Sequence, residues 1–269
     1  MRQRSSLARL LASAAMTATL AAGLGGCQTM SDITGSITSS KPDASAAADP
    51  RAQVEVYGER YRADPRNAEA ALAYGQALRA TGQRSQAVAV LEQATIKHAG
   101  NRPLLAAYGR ALADNGNFQQ AFDVLTRAHS PDNPDWRILS VQGTALDQLG
   151  RHDEARRYYD SALKIAPDEP SVLSNLGMSY VLSRELPKAE EVLRRAYAST
   201  RADARVRQNL GLVVGLQGRF AEAEGIVKAD LPAEEAAANV AYLKQMLSRK
   251  DNPRAGAGTI PVAALNRPD

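Results

Sequence analysis

Five glycines stand at a constant interval of 34 residues: Gly75, Gly109, Gly143, Gly177 and Gly211. Other positions keep the same step. Twelve residues after each glycine comes an alanine: Ala87, Ala121, Ala155, Ala189 and Ala223. Seven after comes Gly82, Gly116, Gly150 and Gly218, with Arg184 in the fourth unit. Three after stands a large apolar residue (Leu78, Leu112, Leu146, Tyr180, Val214), and sixteen after another (Leu91, Leu125, Tyr159, Leu193, Val227). A second alanine follows at nineteen (Ala94, Ala128, Ala162, Ala196) until Asp230 breaks the series. A period of this length means one supersecondary unit stacked on copies of itself. No unit can bury its apolar face alone, so the stack is the domain.

The residue types give the unit its shape. Apolar spacings of three and four predict two amphipathic helices. The first glycine lets the second helix approach closely, with the alanine as its counterpart there. The second glycine falls at the turn, where a left-handed backbone costs it little. In the fourth unit Ser183-Arg184-Glu185-Leu186-Pro187 replaces that turn, and Pro187 can open the following helix.

The five units, at about 68–237, resemble the tetratricopeptide (TPR) repeat. The resemblance implies an all-α fold, a right-handed superhelix of antiparallel helix pairs with a concave groove. Pro167 matches the family's closing proline, and Pro65 matches it one unit earlier. Residues 53–63 therefore read as the second helix of a degenerate leading unit. Pro232 to Leu247 read as a closing helix, with Val240, Leu243 and Leu247 covering the last unit and Lys244, Arg249 and Lys250 facing water. The repeat domain is expected over residues 51–249, followed by a loose tail at 250–269.

The chain's start reads differently. Arg2, Arg4 and Arg9 precede the apolar run Leu10 to Ala22, and no acid occurs before Asp32. This is an export signal over residues 1–26, its apolar run short of the roughly 20 residues that span a bilayer. It ends in Leu24-Gly25-Gly26-Cys27, which resembles a lipobox. That resemblance implies lipidation of Cys27, and several acyl chains hold a soluble domain on a membrane. Gln28 in place of an aspartate leans toward the outer membrane. Residues 27–50, rich in Ser, Thr, Ala and Asp, read as a flexible tether. A single cysteine excludes an internal disulfide. The net charge of +4 suggests an anionic partner until its position is considered. Three arginines leave with the signal, so 30 basic residues face 29 acidic ones and +1 remains. With 5% aromatic residues as well, nucleic acid is not an expected partner.

No metalloprotease, nucleophile-elbow, P-loop or dinucleotide motif occurs, so neither catalysis, a cofactor, a metal nor a small-molecule substrate is expected. His98, His129 and His152 fall in different units, and His152 reads as a ring packed at the inter-helix turn. Asp153-Glu154 and Glu190-Glu191 read as exposed helix charges. Trp136 reads as a packing residue. Function is expected in the groove. Its positions lie one, four and five residues after each repeating glycine, and three and six before. In units one to three they hold Glu69, Gln76, Arg79, Arg110, Asp114, Arg137, Asp147 and Gln148, polar and mixed in sign. In units four and five they hold Met178, Val181, Leu182, Leu212 and Leu216, which can accept an amphipathic segment. The plainer alternatives are solvated arginines and apolar residues closed over by the terminal helix. Chaperone-binding TPR domains clamp a carboxylate with Lys and Asn. The matching places here hold Leu72, Gln76, Ala106 and Arg110, so that clamp is absent.

Two further stretches, Asn209 to Glu224 and Asp230 to Lys244, together with the lipobox, the tether and the repeats, resemble the TadD-like TPR lipoproteins of Tad (Flp) pilus machines. This implies a pilotin-like, outer-membrane-anchored scaffold on the periplasmic face. Its implied partners are the pilus secretin or other Tad assembly proteins. The alternative is a TPR lipoprotein serving another envelope machine: a type IV pilus secretin, β-barrel insertion or cell-wall assembly.

Overall fold

The structure is a computed structural model that describes residues 49–130 and 132–250. The export signal, Cys27 and nearly all of the tether lie outside the described residues, as does the tail from residue 251. Twelve helices are present among the described residues. α1 is Pro50–Ala63. The first helices of the five units are α2 (Ala68–Ala80), α4 (Arg102–Asp114), α6 (Trp136–Gln148), α8 (Pro170–Leu182) and α10 (Ala204–Leu216). The second helices are α3 (Arg84–Lys97), α5 (Phe118–Thr126), α7 (His152–Ile165), α9 (Leu186–Tyr197) and α11 (Phe220–Val227), and α12 is Ala233–Lys250.

Each helix packs on its neighbours in sequence. The first helices also touch one another in the order α2, α4, α6, α8, α10, and α10 touches α12. The second helices make no such contacts with each other among the described residues. The stack therefore curves toward the first helices, which line its inner face. This is the all-α TPR superhelix.

Starts and stops follow local chemistry. Asn67, Asn101, Asp135 and Asp203 cap α2, α4, α6 and α10, each side-chain oxygen accepting from a backbone N–H of the first turn. α8 has Pro170 in its first turn, where the missing N–H costs nothing. Each first helix ends in the same way. The N–H two residues past the C-cap donates to the carbonyl five residues back: Gln83 to Leu78, Asn117 to Leu112, Arg151 to Leu146, Glu185 to Tyr180 and Arg219 to Val214. This closure requires a left-handed residue at the turn. Gly82, Gly116, Gly150 and Gly218 supply it at φ of 75°, 85°, 77° and 84°. Arg184 supplies it at 62°, keeping the hydrogen bond with the wrong residue type. Arg184→Gly is therefore expected to stabilise the protein by about 1 kcal/mol, raising Tm by about 2–4 °C in a domain of this size. A thermal melt checks this, and an unchanged or lowered Tm contradicts it.

Close packing on the first-helix glycines refines the sequence reading. A Cβ on Gly75 would sit 2.5 Å from Leu91, and one on Gly143 would sit 2.6 Å from Tyr159. Gly109, Gly177 and Gly211 meet Leu125, Leu193 and Val227 in the same way. The side chain inserted over each glycine is thus the large one sixteen residues later. The alanine twelve residues later is fully buried behind it. At Gly109 and Gly211 its carbonyl oxygen lies 3.4 Å from the imagined Cβ. The alanine admits the helix, and the larger residue fills the contact.

Candidate protein-binding groove

The inner face divides at unit three. On α2, Gln76 is exposed and Arg79 half-buried. Arg79 Nε donates to Asp114 Oδ2 on α4 at 2.7 Å, joining the first two units. Arg110, one turn before Asp114, is half-buried. Burial, followed by the charge of Arg79, lowers its pKa. Arg137 adds to that effect, and Asp135 and Asp114 oppose it. Arg79, Arg110 and Arg137 are thereby brought into one electrostatic neighbourhood. Arg137 is exposed, and its guanidinium lies 4.4 Å over the ring of Trp136. Trp136 itself packs on the core of units three and four. Glu69 and Gln148 are exposed.

Asp147 corrects the sequence reading. Its register belongs to the groove, yet it is 7% exposed. The Tyr159 hydroxyl donates to Oδ2 at 2.9 Å, and the Ser179 hydroxyl donates to Oδ1 at 2.7 Å. His152 Nδ1 lies 2.9 Å from Oδ1. The reason is Tyr159. Three of the sister residues are leucine and one is valine, but a buried tyrosine brings a hydroxyl that must be satisfied. Burial and the Asp147 carboxylate push its phenol well above the ordinary range, so it stays a neutral donor. The serine donates to the carboxylate rather than to the imidazole. Despite its residue types, the cluster therefore lacks the nucleophile–base contact of a hydrolase triad. It fastens unit three to unit four.

A second polar ladder went unseen in the sequence. Asn175 Nδ2 donates to Ser140 Oγ at 3.0 Å, and Asn209 Nδ2 donates to Ser174 Oγ at 2.8 Å. Ser140 and Ser174 occupy groove register, and both are buried under the next first helix. The available signal was the repeated Ser-to-Asn step of 35 residues.

Units four and five present Met178, Leu212 and Leu216 half-buried, and Leu182 49% exposed. Met178 and Leu182 share one face of α8, as Leu212 and Leu216 share one face of α10, four residues apart. Val181 packs on the core. α12 crosses α10 at Gly215, where a Cβ would lie 2.5 Å from Leu243 Cδ2. The closing helix thus takes the Gly215 position and leaves the Leu182 side chain in solvent.

Charge pairs tie α10 and the turn that follows it to α9 and to the end of α11. Asp230 is held below its usual carboxylate range by Arg207, which donates from Nε at 2.6 Å. Burial raises the Glu190 pKa, but bonds from Gln217, Arg219 and Arg194 outweigh it and the net shift is downward. A depressed folded pKa contributes stability that is full above the unfolded value, about 4 for these carboxyls. It is lost as the pH falls through the folded value. Melting at pH 3 is expected to show the last two units loosening before the first three, followed by amide exchange. Uniform loosening contradicts this.

Each of the three histidines meets one oxygen of the fold. His98 Nε2 meets the Arg66 carbonyl at 2.7 Å, and His129 Nε2 meets Gln142 Oε1 at 3.1 Å. Among the described residues no group of three or more His, Cys, Asp or Glu could hold a metal ion. No described helix is long and apolar enough to cross a membrane.

Residues 112–174 and 146–212 match the tetratricopeptide repeat model. Residues 53–128 match that of anaphase-promoting complex, cyclosome, subunit 3. The chain is similar in fold to PilW, a widely conserved type IV pilus biogenesis factor. The identity is 18% and the TM-score 0.63, over 73% of this chain and 92% of that one. It is also similar to a chain of the APC/C hetero-tetramer Cut9–Hcn1, at 18% identity and a TM-score of 0.62. That match takes in 77% of this chain and 41% of the other, so the chain spans well under half of that relative. At such identities the likeness is one of fold. No curated protein matches the sequence.

Proposed function

Taking the TPR superhelix, a protein–protein interaction scaffold, as the premise, we propose that this chain is a lipid-anchored, pilotin-like scaffold for a Tad (Flp) pilus and its secretin. The observation that carries the reading is Leu24-Gly25-Gly26-Cys27 at the end of an arginine-led apolar segment, joined by a short tether to repeats that end in the Asn209–Lys244 motif. In this reading Cys27 supplies the membrane affinity, on the periplasmic face of the outer membrane, and the inner face supplies the client contact. Each buried CH₂ contributes about 0.8 kcal/mol, so a multiply acylated cysteine makes anchoring persistent.

Deleting the gene is expected to abolish surface pili and to mislocalise the secretin, and normal piliation overturns the reading. Cys27→Ser is expected to move the protein out of the outer-membrane fraction. Retention of the variant there contradicts the anchor. A second reading, service to a type IV pilus, has the fold shared with PilW on its side. Loss of Tad pili with type IV pili intact favours the first reading, and the converse favours the second.

A further inference from the structure

Two of the acids that make the inner face of units one to three mixed in sign are already engaged, and so is Asp135 at the start of α6. Asp147 is buried beneath Tyr159, Ser179 and His152. Asp114 is taken by Arg79. Asp135 caps α6, accepting the Arg137 backbone N–H at 2.7 Å. Glu69 stands ten residues before Arg79 on α2, about 15 Å along the helix, and is not among the charges acting on Arg110. Arg110 and Arg137 are left with no carboxylate in hydrogen-bond contact among the described residues.

Both guanidiniums are placed to receive one. Arg137 lies flat over Trp136, which leaves the edge of its fork open. Arg110 is half-buried, with Arg79 and Arg137 acting on it against Asp135 and Asp114, and an arriving carboxylate offsets its desolvation. On the same face of α4, Arg102 and Ala106 precede Arg110 at intervals of four. A cleft of about 200 Å³ lies beside Ala106, walled by Arg102, His129 and Asp135 and not by Arg110 or Arg137. That is below the range of about 300–1,000 Å³ typical of small-molecule sites, but a peptide side chain fits it. The corresponding face in units four and five carries Met178, Leu182, Leu212 and Leu216, and its one cation, Arg205, is hydrogen-bonded to Asn175.

We propose that Arg79, Arg110 and Arg137 form a docking site for an acidic peptide segment of the partner, whose carboxylates pair with Arg110 and Arg137. A curved inner face favours a peptide over a flat bilayer. The inference rests on the groove being the working surface and names the class of segment it takes.

The test uses the full-length lipoprotein in detergent and a fluorescein-labelled octaglutamate, with octaglutamine as the neutral comparison. Octaglutamate is expected to bind with an affinity that falls as salt rises, and octaglutamine is not expected to bind. Arg110→Gln and Arg137→Gln are each expected to weaken binding about tenfold at unchanged Tm. Arg205→Gln, in unit five and hydrogen-bonded to Asn175, is expected to leave it intact. Equal binding of the two peptides overturns the proposal, as does octaglutamate binding indifferent to Arg110→Gln. Binding confined to phosphatidylglycerol vesicles and lost in the same variants also overturns it, in favour of a lipid surface. Loss of pili on deletion without octaglutamate binding would leave the pilus reading standing and remove this one. Octaglutamate binding with normal piliation would do the reverse.

Discussion

Asp147→Ala is expected to lower folding stability by about 3 kcal/mol, with a fall in Tm of roughly 6–12 °C. The effect exceeds that of a single hydrogen bond because the substitution strands several groups. Tyr159 is 1% exposed and Ser179 fully buried, so neither hydroxyl can turn to water, and the Tyr159 hydroxyl keeps only its 3.3 Å contact with Thr144 Oγ1. His152 loses its partner at the start of α7. The loss should fall on the junction of units three and four, since Ser179 reaches across from α8. Tyr159→Phe alone removes one donor and is expected to cost about 1 kcal/mol. The double variant should cost less than the two added together, because Tyr159→Phe removes one of the donors that Asp147→Ala strands. Strict additivity, or a loss below 1 kcal/mol in Asp147→Ala, would mean that the carboxylate is hydrated and the cluster does not fasten the units.

Gly109→Ala is the second large effect, expected at about 2 kcal/mol of destabilisation. Its Cβ would meet Leu125 Cδ2 and Cγ at 2.5 Å, with the Ala121 carbonyl 3.4 Å away. Leu125 is fully buried, so it has nowhere to turn. Relief requires α4 and α5 to separate, and the displacement passes to α6, which packs on both. Gly225→Ala is the matched control. Nothing lies within 4 Å of its imagined Cβ, and the glycine is an exposed part of α11. Helix propensity alone then predicts a gain of up to about 1 kcal/mol. Denaturant melts of the two variants should move in opposite directions. A neutral Gly109→Ala would contradict the account of helix packing.

The period made the helix pairs, the turn glycines and the identity of the inner face legible before any coordinates. Each depends on one residue type at one spacing within a unit. What the sequence concealed depends on pairs between units. Asp147 has groove register, and only the exchange of an aliphatic residue for Tyr159 draws it inward, with help from Ser179 on the next first helix. Asp114 and Arg79 are 35 residues apart and pair with each other, which leaves Arg110 without a hydrogen-bonded acid. The mixed charge read along the chain thus becomes a cationic first half once the partners are known. Arg184 shows the opposite case. The spacing marks it as an exception, and the backbone treats it as though it were glycine.

The claim that the inner face holds a protein client is most directly tested by photo-crosslinking in piliated cells. A benzoylphenylalanine at position 110 or 212 reports from the inner face, and one at position 93, where Gln93 is exposed on α3, reports from the outer side. The account predicts adducts with the pilus secretin or another Tad assembly protein from the two inner positions and none from position 93. Adducts from position 93 with none from positions 110 and 212 would contradict it.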